Sequence, residues 1–246
     1  MFPLVHHYCN KIILPPVDNA MILGGLFPDL AMNAGIWRDT AHTCGLQFYK
    51  WCQENDHDNI NFIKGILSHG TEPLGLDYYA DEFWQGGEKG YCFQQGVPWM
   101  DRVREATRLP ENLIWWKAHN FVEMSFELSA IERDPLLGQE ILEAIKDRET
   151  VKRVCRMVQD YFDVDMHKMI EAYDMVEDIF ALEEIDPYFL SQKQQRAFIR
   201  RHKQNGANVD LMAALLTEMH EFFEDKFDPF MGQVNLWIKN MLNSVL

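Results

Sequence analysis

Apolar residues recur every three to four positions along most of the chain, and no long segment alternates strictly between apolar and polar residues. This spacing places the apolar side chains on one face of a helix, whereas a strand would need strict alternation. The predicted helices span residues 4–14, 17–25, 40–53, 59–69, 111–132, 138–162, 164–183, 191–204, 208–225 and 230–244. The pattern therefore predicts an all-α protein, built as a multi-helix bundle.

Glycine and proline set the expected breaks between these helices. Gly24 and Gly25 are expected to end the second helix, and residues 27–39, which contain Pro28, are expected to form a loop with one helical turn. Pro229 is expected to begin the last helix, because an interior proline removes a backbone hydrogen bond.

Residues 70–99 contain six glycines and two prolines among many aromatic side chains. This composition predicts a long ordered loop, and such loops often carry function. Tyr78 and Tyr79 lie beside acidic residues in this segment, and they are the candidate residues for the wall or lid of a substrate pocket.

The chain shows no internal repeat, no low-complexity tract and no sharp linker. We therefore expect one all-α domain over residues 1–246. Within it, residues 1–133 are the candidate metal-site half, because the unusual polar residues lie there. Residues 134–246 are the candidate supporting half.

The charge balance narrows the choice of partner. The chain has 23 Lys+Arg against 38 Asp+Glu, a net charge of −15, and 47% of its residues are hydrophobic. The hydrophobic fraction excludes intrinsic disorder, and the acidity argues against nucleic acid or an anionic membrane surface as the main partner.

The sequence also suggests a compartment. No segment approaches the length of a transmembrane span, and the N-terminus lacks the pattern of a secretory signal. The five cysteines are widely spaced and form no C-x-x-C pair, which argues against a disulfide scaffold. We therefore expect a cytoplasmic protein without a transmembrane segment.

One histidine and one glutamate have the spacing of a metal-binding pair. His119 and Glu123 are four residues apart, so they share a face of the predicted helix, and both are common metal ligands. The same spacing occurs at His167 and at His220, but acidic neighbours there predict solvated surfaces. The two tryptophans before His119 favour its burial.

Other polar residues of the first half lie next to apolar segments. Asp29 follows an apolar run and Pro28, so it either caps the next helix or points inward as a ligand. His42 follows Asp39 by three residues, and His69 closes an apolar helix. Asp77 lies in the aromatic segment beyond it.

These residues together make a candidate site for metal ions. A set of seven nitrogen and oxygen ligands is enough for two ions, which could activate water for attack on a phosphoryl centre. The sequence has no G-x-S-x-G elbow, P-loop or G-x-G-x-x-G motif that would indicate another mechanism. The candidate ligands are His6 or His7, Asp29, His42, His69, Asp77, His119 and Glu123.

The motifs that carry a family resemblance occur in a fixed order: His6, G-G-L-F-P-D with Asp29, His42, G-I-L-S-H-G with His69, and the pair His119 and Glu123. This order, over about residues 4–124, resembles the zinc-dependent phospholipase C superfamily, which includes related single-strand nucleases. The resemblance implies an all-α fold and a metal cluster that hydrolyses phosphoesters with activated water.

Residue by residue, the resemblance implies metal ligation by the matching side chains. His6 is preferred over His7, because its neighbours one and two turns along the helix are apolar. The carboxylate that the family has after its central histidine would come from Asp77 or Glu72. Asp29 is also the candidate catalytic residue.

The expected cofactor is two or three divalent ions. Zinc is the first choice, and iron or manganese are alternatives. The expected substrate is a small-molecule or lipid-like phosphoester.

Two further hypotheses compete with this one. His57 and Asp58 form an H-D doublet of the kind that helical phosphohydrolases use for metal. The chain could instead be a non-catalytic all-α structural or interaction protein with a degenerate or purely structural metal site. In that case the methionine-rich and aromatic C-terminal helices would serve as core or as the interface of a homo-oligomer.

Overall fold

The computed structural model describes residues 2–55 and 59–246, and within these ranges the chain forms helices and no strand. This confirms the predicted all-α class. Its α-helices are α1 (Pro3–Ile13), α2 (Asn19–Leu30), α3 (Arg38–Thr43), α4 (Gly45–Glu54), α5 (Ile60–His69), α6 (Tyr91–Gly96), α7 (Met100–Thr107), α8 (Glu111–Arg133), α9 (Leu137–Lys146), α10 (Arg148–Phe162), α11 (Met166–Asp174), α12 (Val176–Ile179), α13 (Pro187–His202) and α14 (Val209–Val245).

Helix α2 is longer than the sequence pattern predicts. Asp18 caps its first turn by accepting a hydrogen bond from the Met21 amide at 2.9 Å. The helix then continues through the two glycines and ends at Leu30, so Asp29 lies in its last turn and not in a loop. The expected helix end at Gly24 and Gly25 was therefore wrong.

Close packing against α5 explains those glycines. A Cβ atom on Gly24 would lie 1.9 Å from the Phe62 carbonyl oxygen, and one on Gly65 would lie 2.2 Å from the Met21 carbonyl oxygen. Such distances are far inside van der Waals contact, so only hydrogen atoms fit between the two backbones at these points. The glycines therefore serve the contact between α2 and α5.

Two predicted helices of the second half are interrupted. The segment 138–162 divides into α9 and α10 at Asp147, whose side chain accepts from the Thr150 amide and caps α10. The segment 164–183 contains α11 and the short α12. At Asp147 polar capping overrides the apolar spacing on which the longer helix was predicted, whereas α11 ends and α12 begins at Met175 without a side-chain cap.

Proline placement also differs from expectation. Pro187 occupies the first turn of α13, where its missing N–H would have no partner anyway, and Asp186 caps the helix. Pro229 lies inside α14, which runs without a break from Val209 to Val245. The two helices predicted on either side of this proline are therefore one.

The aromatic segment is more ordered than a loop. Residues 70–99 contain a π-helix at Tyr78–Glu82, the helix α6 and a 3₁₀ turn at Val97–Trp99. A second 3₁₀ turn, Ala31–Ala34, follows α2. The π-helix matters for the site, because it follows Asp77 directly and carries Asp81.

Both halves of the chain contribute to one hydrophobic core. Its members extend from Leu4 to Leu242, and the Phe126 ring on α8 packs against Phe227 and Phe230 of α14 at centroid distances of 5.2 and 5.4 Å. Among the described residues, no helix is both long enough and apolar enough to cross a membrane.

Candidate metal centre

Helix α1 carries two adjacent buried histidines that face different partners. The His6 ring stacks on the His69 ring, with centroids 3.6 Å apart and planes 2° from parallel. The His7 Nε2 atom instead lies 2.7 Å from Glu140 Oε2. Of the two alternatives left open by the sequence, His6 therefore lies with the other candidate ligands.

The rings of His42 and His69 are oriented by backbone carbonyl groups. Nδ1 of His69 donates to the Gly25 carbonyl oxygen at 2.6 Å, and Nδ1 of His42 donates to the Arg38 carbonyl oxygen at 2.8 Å. Because a carbonyl oxygen can only accept, the proton of each neutral ring lies on Nδ1. Each Nε2 atom then keeps its lone pair, as a metal ligand requires.

Three imidazoles converge on the carboxylate of Asp77. His42 Nε2 and His69 Nε2 each lie 3.3 Å from Oδ2, and His6 Nε2 lies 3.2 Å from Oδ1. Asp77 is 2% exposed, so these groups meet in the interior. We call His6, Asp29, His42, His69 and Asp77 the first cluster.

The first cluster fits a bound cation. The three Nε2 atoms are buried, and none has a hydrogen-bond partner within the described residues, although each lies close to a carboxylate oxygen. Buried polar atoms in folded proteins nearly always have a partner. Neutral imidazole nitrogens and carboxylate oxygens are the usual ligands of zinc, so a cation between them would satisfy all three rings.

Burial also sets the protonation of this cluster. It lowers the pKa of His6 to about 3, with a further contribution from the neighbouring His69, so the His6 ring is neutral at pH 7. Burial alone would raise the pKa of Asp77, but the positive charge of the terminal amino group, followed by the imidazoles of His69, His42 and His6, holds that pKa well below its usual range.

Asp29 differs from the rest of the first cluster in its contact with solvent. Its side chain is 31% exposed, and Oδ1 lies 3.9 Å from His42 Nε2. Three ligand atoms, one from each of Asp29, His6 and His69, lie within 4.8 Å of one another. Asp29 can therefore contribute to a metal site and still face a substrate.

A second cluster consists of Asp81, His119 and Glu123, whose ligand atoms also lie within 4.8 Å of one another. The spacing along α8 brings His119 Nε2 to 3.7 Å from Glu123 Oε2. Asn120 donates to the same Oε2 atom at 2.9 Å and fixes the carboxylate. All three members of the cluster are buried.

The two other histidine–glutamate pairs are not buried in this way. His167 is exposed, and His220 is half-buried with Nε2 2.9 Å from Glu132 Oε1. Burial therefore separates His119 from the two histidines that share its spacing.

The second cluster concentrates negative charge in the interior. Burial raises the pKa of Asp81 well above its usual range, and repulsion by Glu123 and Asp77 adds to the effect. The nearest described cation is Arg38, whose Nη2 atom lies 3.6 Å from Asp81 Oδ2. Asp81 Oδ1 has no hydrogen-bond partner within the described residues. A divalent cation would offset this charge.

Both clusters border one cavity of about 210 Å³. Asp29 and Asp77 of the first cluster line this cavity, and so do all three members of the second cluster. Helix α13, from the half predicted to be supporting, also forms part of the cavity wall. The cavity therefore gives a small molecule access to the candidate ligands.

Tyr78 and Tyr79 are not among the side chains that line this cavity. The Tyr79 ring packs 4.8 Å from the Trp237 ring, and the Tyr78 ring lies 6.0 Å from the Phe83 ring. The structure thus places these two tyrosines in aromatic packing, away from the cavity for which they were candidates. Glu72, the alternative to Asp77, is exposed.

Asp81 is the ligand candidate that the sequence reasoning left out of its set. Its position four residues after Asp77 is a helical spacing, but the glycine-rich composition of the segment predicts a loop, in which such a spacing has no meaning. The cavity residues Arg38, Lys117 and Arg201 were missed as well. For Arg201 the sequence offers no signal, because tertiary packing alone brings α13 to the site.

His57 and Asp58, on which the competing metallohydrolase hypothesis depends, lie outside the described residues. Comparison with models of known protein families, with curated proteins and with solved structures found no match for this chain.

Proposed function

We propose that this protein is a metal-dependent hydrolase of phosphoesters, of the type that the zinc-dependent phospholipase C superfamily represents. One observation carries the proposal: two adjacent sets of buried imidazole and carboxylate ligands border the same cavity. Paired metal ions next to a substrate cavity are a recurrent arrangement in phosphoryl hydrolysis.

The ligand geometry supports more than one ion. One ion fits among His42, His69 and Asp77, and another fits among Asp81, His119 and Glu123. The two oxygens of Asp77 face different imidazoles, so Asp77 would hold a cation together with His42 and His69 through one oxygen and with His6 through the other. Asp29 lies near His6 and His69 and would add a further oxygen ligand. Zinc suits this donor set best, with iron or manganese as alternatives.

The reaction needs little from the protein beyond positioning and charge. Bound divalent ions would supply an activated water at neutral pH and positive charge toward the phosphoryl oxygens. Asp29 is the part-exposed carboxylate on the cavity wall, so it can hold the attacking water or accept its proton. Arg38 lines the same cavity and can donate to phosphoryl oxygens.

Metal content and phosphodiester hydrolysis test the proposal together. Protein purified without chelator is expected to hold at least one transition-metal ion per chain and to hydrolyse bis(p-nitrophenyl) phosphate. Dialysis against chelator should abolish the hydrolysis, and zinc should restore it.

Two adjacent histidines provide the matched variants. His6→Ala is expected to weaken metal binding by at least roughly 100-fold, because loss of a mere outer-shell partner already costs about 10–100-fold. His7→Ala should keep its metal, because His7 is held by Glu140. Metal-free protein without phosphodiesterase activity after zinc addition would contradict the proposal, as would equal metal content in both variants.

A further inference from the structure

A group of basic side chains lines the same cavity as the two clusters. Lys117 belongs to α8, and Arg200, Arg201 and His202 end α13. We call these four residues the basic rim. Lys117 and His202 are half-buried, whereas the two arginines are exposed at the mouth. Their convergence is unexpected in a chain of net charge −15.

The basic rim is not neutralised by close ion pairs with the carboxylates that the structure describes. Within the described residues, no aspartate or glutamate oxygen forms an ion pair with Lys117, Arg200 or Arg201. The Lys117 ammonium donates to a neutral amide, Asn120 Oδ1, at 3.3 Å. His202 Nε2 is buried, with no hydrogen-bond partner within the same residues. The rim therefore offers donors that its own surroundings do not use.

The rim cations also repel one another. Burial lowers the pKa of His202, and the charges of Lys117 and Arg201 lower it further. The pKa of Arg201 is lowered as well, because surrounding protein atoms partly desolvate the guanidinium of this otherwise exposed residue and Arg200 adds a second positive charge. An anion placed among these groups would relieve the repulsion and accept their hydrogen bonds.

We infer that the basic rim binds a second anionic group of the substrate, a carboxylate or phosphate separate from the scissile phosphoryl group. This inference rests on the proposed function, because the metal clusters that border the same cavity would take the scissile group. The cavity, at about 210 Å³, holds a compact molecule with both groups a few bonds apart. The substrate class is therefore small phosphoesters with an anionic, not cationic, second end.

Two probes of similar size and opposite charge test the inference. Phosphoglycolate joins a phosphate to a carboxylate, and phosphoethanolamine joins a phosphate to an ammonium group. Binding of each to the protein purified without chelator is measured by calorimetry. Phosphoglycolate is expected to bind at least about tenfold more tightly, since one charge-assisted hydrogen bond accounts for such a ratio.

The variants Lys117→Gln and Arg201→Gln test whether the preference for phosphoglycolate over phosphoethanolamine depends on the basic rim. Each is expected to weaken phosphoglycolate binding by about tenfold and to leave phosphoethanolamine binding unchanged or tighter. Arg196→Gln is the matched control, because Arg196 is exposed on the same helix but does not line the cavity. It should leave both affinities unchanged.

Three results would overturn the inference: no preference for phosphoglycolate, no detectable binding of phosphoglycolate, or an equal loss of both affinities in the rim variants. The last result would mean that the rim holds the phosphoryl group itself. Metal content and phosphodiester hydrolysis are measured on the same preparations, because they test the proposed function separately. If metal and hydrolysis are absent but phosphoglycolate still binds more tightly than phosphoethanolamine, the proposed hydrolase function fails and the anion preference of the rim stands.

Discussion

Glu127 is buried on α8, one helical turn after Glu123, and its carboxylate joins two helices. Its oxygens accept from the backbone amides of Leu4 at 3.3 Å and Val5 at 2.9 Å, in the first turn of α1. These amides would otherwise have no partner inside the helix. Glu127 thereby fixes α1, and with it His6, relative to the helix that carries His119 and Glu123.

Glu127 also predicts a pH dependence of stability. Burial raises the pKa of its carboxyl group to about 8, although the two backbone amides act in the opposite direction. Between the unfolded value near 4.5 and the folded value, the folded state holds a proton that the unfolded state releases. The contribution of Glu127 to stability is therefore present at low pH and declines as the pH rises toward 8.

The variant Glu127→Gln isolates this contribution, because it cannot ionise. The free energy of unfolding of the wild type is expected to fall relative to Glu127→Gln by on the order of 1 kcal/mol per pH unit from pH 5.5 to 7.5. Urea unfolding at three pH values measures the difference. Glu105→Gln, at an exposed position, should give a constant difference, and a constant difference for Glu127→Gln would refute the prediction.

At the residue scale, the sequence pointed to side chains whose chemistry and local spacing are both unusual. The i and i+4 spacing of His119 and Glu123 and the apolar segment before His69 were sufficient to single them out. Glu127 was not singled out, because a glutamate in an amphipathic helix is ordinary until its burial is known. Its partners, Leu4 and Val5, are backbone amides of a distant helix, which no side-chain pattern indicates.

Helices α2 and α5 form the scaffold that holds His69 and Asp29 near each other. The close approach at Gly24 and Gly65 lets the Gly25 carbonyl oxygen accept from His69 Nδ1. A side chain at the contact would push the helices apart and break this hydrogen bond. The small residues of these two helices therefore help to position the ligands of the site.

Gly65→Ala tests this contact. A Cβ atom there would meet the Met21 carbonyl oxygen at 2.2 Å, and backbone atoms cannot move aside as a flexible side chain can. The substitution is expected to lower the free energy of unfolding by at least about 2 kcal/mol, measured by urea denaturation.

Gly232→Ala is the control for this substitution. A Cβ atom at Gly232 has no neighbour within 4 Å on helix α14, so alanine should raise stability by roughly 0.5–1 kcal/mol through its better helix propensity. Equal effects of the two substitutions would show that the α2–α5 contact has no special role.

At the element scale, apolar spacing predicted the existence of most helices but not their ends. It ended α2 too early, because glycine is a common helix terminator and its role in interhelical packing depends on a partner that the sequence does not identify. It divided α14 at Pro229 for a similar local reason. In both places tertiary packing outweighed the local preference of one residue.

The whole molecule combines a strongly acidic chain with a cavity of mixed charge. The net charge of −15 describes the average surface, but three buried acids and a part-exposed fourth line the cavity together with the basic rim. The sequence could not reveal this arrangement, because residues 38, 117 and 201 meet only through the packing of α3, α8 and α13. The distribution of charge in space, and not its sum, is what suits the cavity to phosphate chemistry.

The most direct test of the metal centre is X-ray diffraction from crystals of protein purified without chelator, with data collected on both sides of the zinc absorption edge. Anomalous peaks are expected about 2.0–2.1 Å from His42 Nε2 and His69 Nε2, and a further peak between His119 and Asp81. Ordered ligands without an anomalous peak at either cluster, at the zinc, iron or manganese edge, would contradict the account.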